Sequence, residues 1–340
     1  MPKVTLKVLA NKLGLSTSTV SKALKDYSDI NEETKLKVQE LAKSLNYTPN
    51  AFAQGLRNQE SKIVGVIIPS MVHYFFSNII DGILKEAEER NYMVVLMQSN
   101  EDYDLEKKQV DVLLSKGVDG IIISLANKTR DFSHLAKIID YNIPLILVDK
   151  IAKTINCSKV LIDDRKASYD AVNYLIQKGY KRIAHFRGDL NPQNSIDRFL
   201  GYKKALLDNN IEFDPSLVYV CDNNSDFSDG YENAEKLIAD HGNNVDALFT
   251  VNDLLAIGAI NYFNENNIKI PERIAVFGFS NWFMSSVISP SLSSIEQNGT
   301  KMGEKSAQIL FQEIESKHKQ KPIEFQKVII DTELIIRKSC

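Results

Sequence analysis

Cysteine, tryptophan and long apolar runs are scarce in this chain. Three cysteines in 340 residues, Cys157, Cys221 and Cys340, are too few and too widely spaced for a disulfide framework or a metal cluster. No apolar run reaches the ~18 residues that a membrane span needs. The first residues lack the apolar core of a signal peptide, so a cytoplasmic protein without membrane contact is expected. There is no G-x-x-x-x-G-K-S/T loop, and no G-x-G-x-x-G follows a strand. The five histidines and three cysteines show neither metal-ligand spacing nor a Ser/His/Asp arrangement. Nothing points to catalysis, to a cofactor or to a bound metal.

The residues that are present describe a globular chain of two or three domains, 44% apolar and 25% charged. The net charge of −3 is unevenly spread: residues 1–60 hold nine Lys/Arg against six Asp/Glu, and residues 1–25 hold five lysines and no acid. A basic end suggests contact with a polyanion.

That end carries VTLKVLANKLGLSTSTVSKAL (4–24). Leu6, Leu9, Ala10 and Leu13 form one helical stripe and Val20, Ala23 and Leu24 a second. Gly14 supplies the positive φ of a tight turn, and Ser16 can cap the second helix. The pattern is that of a helix-turn-helix, or of an ordinary helical hairpin that binds nothing. Residues 31–45 predict a third amphipathic helix, capped by Asn31, whose Leu36, Val38, Leu41, Ala42 and Leu45 cover the first two. Pro49 stops it. A short segment from Ala51 to Arg57 follows, weakened by Gly55; it is either a helix that forms only when held or a plain linker.

From Ser61 the texture is that of an open parallel sheet covered on both faces. Strands are expected at 63–68, 93–97, 120–124, 144–149, 182–186, 217–220, 247–251 and 274–279. Helices alternate with them near 75–90, 104–116, 132–141, 165–178, 197–209, 228–240 and 253–266. KGVDGIIIS (116–124) and NNVDALFTV (243–251) share a pattern, which suggests two similar lobes. Ligands of such sheets lie beyond the carboxyl ends of the strands, here Ser70, Ser124, Asp149, Gly188, Asn252–Asp253 and Ser280. Each alone reads more readily as a cap or turn residue; together they suit a small polar ligand. A helix at 299–316 and a final strand near 328–337 complete the chain.

In this order these segments resemble the lactose-repressor (LacI/GalR) family of bacterial transcription regulators. The helix-turn-helix keeps that family's spacing, NYTPNAFAQGLR matches its hinge, and LLSKGVDGIII, YKRIAHFRG, DRFLGYKKAL, FTVNDLLAIGA and VFGFSNW match its effector domain. The resemblance implies an N-terminal all-α helix-turn-helix domain (1–47), a hinge (48–61) and a two-lobed, periplasmic-binding-protein-like (type I) α/β domain (62–340). The first lobe would hold about 62–160 and 292–322, the second about 161–291 and 323–340. It implies a homodimer on near-palindromic operator DNA, with a sugar or sugar derivative between the lobes as effector; the alternative is control by a partner protein, or activation instead of repression. Thr17, Ser18 and Lys22 would read bases, and Thr5, Ser16, Thr19 and Ser21 would contact phosphates. Leu56 would wedge between base pairs, flanked by Asn50 and Ala53. Phe75, Phe76, Asp149, Asn194, Arg198 and Asn252 would contact the effector, unless Arg198 is occupied by Asp197 or Asp189.

Four positions depart from the family pattern. Val8 stands where an aspartate is usual and Lys22 where an arginine is. Gly55 replaces a larger hinge residue, and Ser280 replaces an aspartate that holds sugar hydroxyls. With that aspartate gone, a phosphorylated or acidic sugar beside Arg198 becomes an expectation. Leu56→Ala should weaken binding to operator far more than to random DNA in parallel titrations; equal losses would show that the wedge is unused.

Overall fold

The computed structural model describes residues 4–47, 60–71, 73–221 and 227–340. The hinge positions Asn50, Ala53 and Leu56 lie outside the described residues. The chain divides into two compact units between Ser61 and Lys62.

The first unit holds three helices, α1 (Leu6–Leu13), α2 (Thr17–Leu24) and α3 (Glu32–Ser44). Gly14 takes φ 63° and ends α1, as the turn requires. Leu9, Ala10, Val20, Ala23, Val38 and Ala42 form the core. Val38 and Ala42, with Leu41 and Leu45 partly buried against them, form the expected packing face of α3, and only Leu36 departs from it. Leu36 is 57% exposed, whereas Lys35 is buried and pairs with Asp26 and Glu32, each at 2.8 Å. The lysine stem covers the apolar surface while its ammonium reaches two carboxylates at the edge.

The second unit contains two parallel sheets. The first has the order β11-β5-β4-β3-β1-β2, from β1 (Ile63–Ile68), β2 (Met93–Gln98), β3 (Gly120–Ile123), β4 (Leu145–Val148), β5 (Ser158–Ile162) and β11 (Lys327–Ile330). Its helices are α4 (Tyr74–Glu89), α5 (Tyr103–Ser115), α6 (Ser133–Asp140) and α11 (Gly299–His318). The second sheet has the order β7-β6-β8-β9, from β6 (Ile183–Arg187), β7 (Val218–Val220), β8 (Ala247–Thr250) and β9 (Ala275–Phe277). It carries α7 (Asp164–Gln177), α8 (Gln193–Asp208), α9 (Ser228–His241) and α10 (Asp253–Glu265). A small antiparallel pair, β10 (Ser294–Glu296) with β12 (Glu333–Ile335), adjoins β9 through a bridge from Ser293 to Phe277.

Two expectations are corrected. SKVLI (158–162) is a strand. It alternates buried Ser158, Val160 and Ile162 with half-exposed Lys159 and Leu161, so it lacks the continuous apolar run that marks its neighbours. The stretch 328–337 is two strands, separated at Asp331–Thr332, that enter different sheets: β11 pairs with β5 in the first lobe and β12 with β10. Residues 327–330 therefore do not belong to the second lobe.

The shared Val-Asp phrase has a physical cause. Asp119 accepts the Lys62 N–H at 2.9 Å, and Asp246 accepts those of Lys181 and Arg182 at 2.9 and 3.0 Å. In each lobe the aspartate entering one strand ties down the start of its neighbour.

Glu313 on α11 is 3% exposed and accepts a hydrogen bond from Ser158. Burial pushes its carboxyl up to about 7 from 4.5, the Ser158 bond opposing. The folded state thus keeps a proton that the unfolded chain releases, and stability falls as pH rises through that window. The stability advantage of Glu313→Gln over the parent should grow by about 3 kcal/mol between pH 4.5 and 8, read as the difference in urea midpoints.

Candidate functional site

The helical unit presents a polar turn. Ser16 caps α2, its Oγ accepting the Thr19 N–H at 3.0 Å, and bonds the hydroxyls of Ser18 and Thr19 at 2.7 and 2.8 Å. Ser16, Thr17, Ser18 and Lys22 are exposed, and Thr19 and Ser21 half-buried. The first turn of α2 has no acid, so its N-terminal dipole is left for an anion. Thr5 caps α1, accepting from the Val8 N–H at 3.4 Å, and with Val8 in place of the aspartate the first turn of α1 carries no acid. Lys22 is paired with Asp29, and that bond holds the Asp29 carboxyl below the usual range. Any base contact by Lys22 must displace Asp29.

In the two-lobed unit, the carboxyl ends of both sheets flank a cavity of about 90 Å³ that opens to solvent. Of the expected residues, Phe75, Phe76, Asp149, Gly188, Asn194, Arg198, Asn252 and Ser280 line it. Ser70 and Ser124 lie outside the lining, Ser124 being fully buried. Phe75 and Phe76 begin α4 with ring centroids 5.4 Å apart. Asp149 and Ser280, just beyond β4 and near the end of β9, take φ 60° and 104°. Non-glycine residues in such conformations carry strain that persists only where the surroundings impose it. Here the Asp149 N–H is held by the Val160 carbonyl and that of Ser280 by Ile295.

Arg198 is buried, with its guanidinium 3.6 Å from the Phe279 ring centroid. Nε donates to Asp164 Oδ1 and Nη1 to the Val251 carbonyl, both at 2.7 Å. The partner is thus neither Asp197, which bonds Arg165, nor Asp189, which bonds Asn191. Burial drives the Asp164 carboxyl up and Arg198 pulls it back; Asp149 is likewise raised by burial, against the pull of Arg198 and Lys150. Asn194 Nδ2 reaches Asp149 at 3.4 Å. Lys150 is closed off in the same way, donating to Glu101 at 2.6 Å and Asn127 at 2.5 Å, while the Asn127 N–H returns to Glu101. Two cations line the cavity, both engaged by carboxylates, beside the acids Glu101, Asp149 and Asp189.

Asn252 lines the cavity and also caps α10, accepting from the Leu255 N–H at 3.0 Å. Its neighbour Asp253 braces the loop that carries Ser280. It accepts from the Trp282 N–H at 2.7 Å and from the hydroxyls of Ser285 and Ser294 at 2.7 and 2.6 Å. Burial pushes its carboxyl up to about 6, those bonds opposing.

Sequence reasoning missed Gln297. It is 1% exposed, lines the cavity, and neither side-chain amide atom has a hydrogen-bond partner among the described residues. Ser195 Oγ is in the same condition at the same cavity. The signal for Gln297 was positional: it lies on the second passage between the lobes, between β10 and α11, but a lone glutamine after a three-residue strand is unremarkable in sequence. Asn127 and Lys150 were also missed, although they follow the strand ends Ser124 and Asp149, and so was Glu101, which follows β2, a strand whose end was not singled out.

A helix-turn-helix with an acid-free recognition end, joined in one chain to a two-lobed domain with a polar cleft, defines the class of ligand-binding DNA regulators. Residues 5–50 match the model of bacterial regulatory proteins of the lacI family, and residues 61–338 that of periplasmic binding proteins and the sugar binding domain of the LacI family. The HTH-type transcriptional regulator RegA of Clostridium acetobutylicum is 35% identical over 339 residues, covering 98% of each chain. The HTH-type transcriptional repressor PurR of Histophilus somni is 29% identical over 335 residues, again 98% of each. The lac repressor dimer bound to operator and the anti-inducer ONPF shares the fold at 23% identity, with a TM-score of 0.85 over 99% of both chains. The chain belongs to the LacI family of DNA-binding transcriptional regulators.

Arg198→Ala leaves Asp164 buried without its partner, and should cost about 3–5 kcal/mol in chemical denaturation. Replacing both, Arg198→Met with Asp164→Leu, should recover most of the loss while abolishing any response to ligand.

Proposed function

We propose that the protein is a repressor acting in the cytoplasm as a homodimer on a near-palindromic operator, and that a neutral sugar or sugar derivative bound between the lobes alters its affinity for DNA. The observation that carries the reading is the Gln297 amide, buried at the cavity with both polar atoms unmet, together with Ser195. An unmet buried polar group costs about 1–3 kcal/mol, and ligand hydroxyls would relieve it. The aromatic pair Phe75–Phe76 suits the apolar face of a sugar ring. Because Arg198 and Lys150 are already neutralised, the cleft favours a neutral ligand over a phosphorylated or acidic one. Thr17, Ser18 and Lys22 would read base edges, with Thr5, Ser16, Thr19 and Ser21 on phosphates and Asn50, Ala53 and Leu56 in the minor groove.

A homodimer is favoured by the edge strands β2 and β7, which leave Met93 and Val220 exposed, and by exposed Phe227 and Val287. Two-fold symmetry in the protein implies two-fold symmetry in the operator. The ligand acts only through different affinities for the two lobe arrangements.

Operator selection from random DNA, repeated with a panel of sugars, tests the reading. A palindrome whose affinity changes at least tenfold with a neutral sugar is expected. A palindrome insensitive to every sugar would assign control to a partner protein, and no enriched site would overturn specific DNA binding.

A further inference from the structure

A second and larger cavity, of about 460 Å³, adjoins the first at Asp149 and Asn194. Its volume falls within the ~300–1,000 Å³ usual for small-molecule sites. Its floor is one face of a sheet edge. β5 buries Ser158, Val160 and Ile162 and turns Lys159 and Leu161 the other way; β11 buries Ile330 and turns Lys327 and Ile329 the other way. The register sets Lys159 beside Lys327 and Leu161 beside Ile329, and all four line the cavity. On the same face α5 and α6 pack over β1, β3 and β4. Over β5 and β11 that face is open, and Ile329 is 51% exposed. The facing wall comes from the second lobe, at the starts of α7 and α8.

The charges around this cavity do not cancel. Asp164 is taken by Arg198 and Asp197 by Arg165, at 2.7 and 2.9 Å. Asp149 is buried and faces Arg198 and Lys150. That leaves Asp163, which is exposed and caps α7 by accepting the Lys166 N–H at 2.9 Å. Against this one acid stand three lysines. Lys159 donates to the carbonyls of Ile155 and Cys157 at 2.5 and 3.3 Å. Lys153 and Lys327, both exposed, make no hydrogen bond or ion pair among the described residues. Lys159 and Lys327 therefore stand side by side on strands ~4.8 Å apart with no carboxylate between them, and like charges so placed repel. An anion seated there relieves the repulsion, and Leu161 and Ile329 offer an apolar surface to the rest of the molecule.

We propose that this cavity is a second ligand site, separate from the cleft, that takes a small organic dianion with an apolar body. Its charge lies among Lys153, Lys159 and Lys327 and its body on Leu161 and Ile329. The proposal does not depend on what fills the cleft. Because the walls belong to both lobes, an occupant favours one lobe arrangement over another, and through it bears on the affinity of the cleft.

The full-length protein is titrated calorimetrically with phenyl phosphate, phthalate, inorganic phosphate and phenol. At least one of the two aromatic dianions should bind once per chain, at least tenfold more tightly than inorganic phosphate and than phenol. Tightest binding by phenyl phosphate would assign the site to phosphate esters, and by phthalate to dicarboxylates; either supports it. Lys153→Glu and Lys327→Glu, both at exposed positions, should each weaken that dianion at least fivefold, and Ile329→Ser about threefold. Lys236→Glu on α9, an equal change of charge at a residue that does not line the cavity, should leave its Kd within twofold. Binding that survives both reversals at the cavity would place the anion elsewhere and overturn the site. An equal loss in Lys236→Glu would reduce the effect to net charge, and inorganic phosphate binding as tightly as the aromatic dianions would remove the apolar floor; each overturns the proposal, as does the absence of binding by either dianion.

Discussion

A guanidinium taken out of water must find its counter-charge where it lies, and the ligand domain is assembled around one such group. Arg198 draws together Asp164 at the first residue of α7, the Val251 carbonyl at the end of β8 and the Phe279 ring beyond β9. It also bears electrostatically on Asp149, which comes from the other lobe. Two buried carboxylates thus lean on one cation, and burial works against both. Such an arrangement is costly to desolvate and contributes little net stability, but losing one member is expensive. Its effect is to make the cleft floor depend on the two lobes together.

Strain and bracing complete the same surface. Asp149 and Ser280 hold left-handed backbone at the two sheet edges, and Asp253 fixes the loop beyond Ser280 through three donors. Preorganised polar groups of this kind discriminate by geometry, since a ligand that leaves one unmatched forfeits its hydrogen bond. The same preorganisation explains why Arg198 is not an open fork for anions: its donors serve the protein first.

Local patterns were legible in the sequence and distant partnerships were not. Gly14, Ser16 and the apolar spacing of 4–24 placed α1 and α2, because caps and turns are chemistry of neighbouring residues. The continuous Ile/Val runs placed β1, β3, β4, β8 and β9. The strand 158–162 escaped because its alternating lysine and serine do not advertise burial, and β11 and β12 merged because a two-residue step between sheets leaves no composition signal. Lys35 shows the limit of periodicity: a long stem with an ion pair can take a core-facing place that the pattern assigns to Leu36. The cavity followed from strand ends, but the partner of Arg198 lies 34 positions away on another helix, while the nearer acids that suggested themselves are engaged elsewhere. Gln297 needed three-dimensional closure to acquire meaning at all.

The path of the chain through its two sheets has an evolutionary corollary. The first lobe is built from 63–162, from α11 and from β11; the second takes the intervening residues, and β12 returns to its side after β11. Neither lobe is one continuous stretch of sequence. A single genetic crossover therefore cannot exchange one lobe for that of another regulator, whereas the helical head, which ends by Ser61, can be traded by one cut.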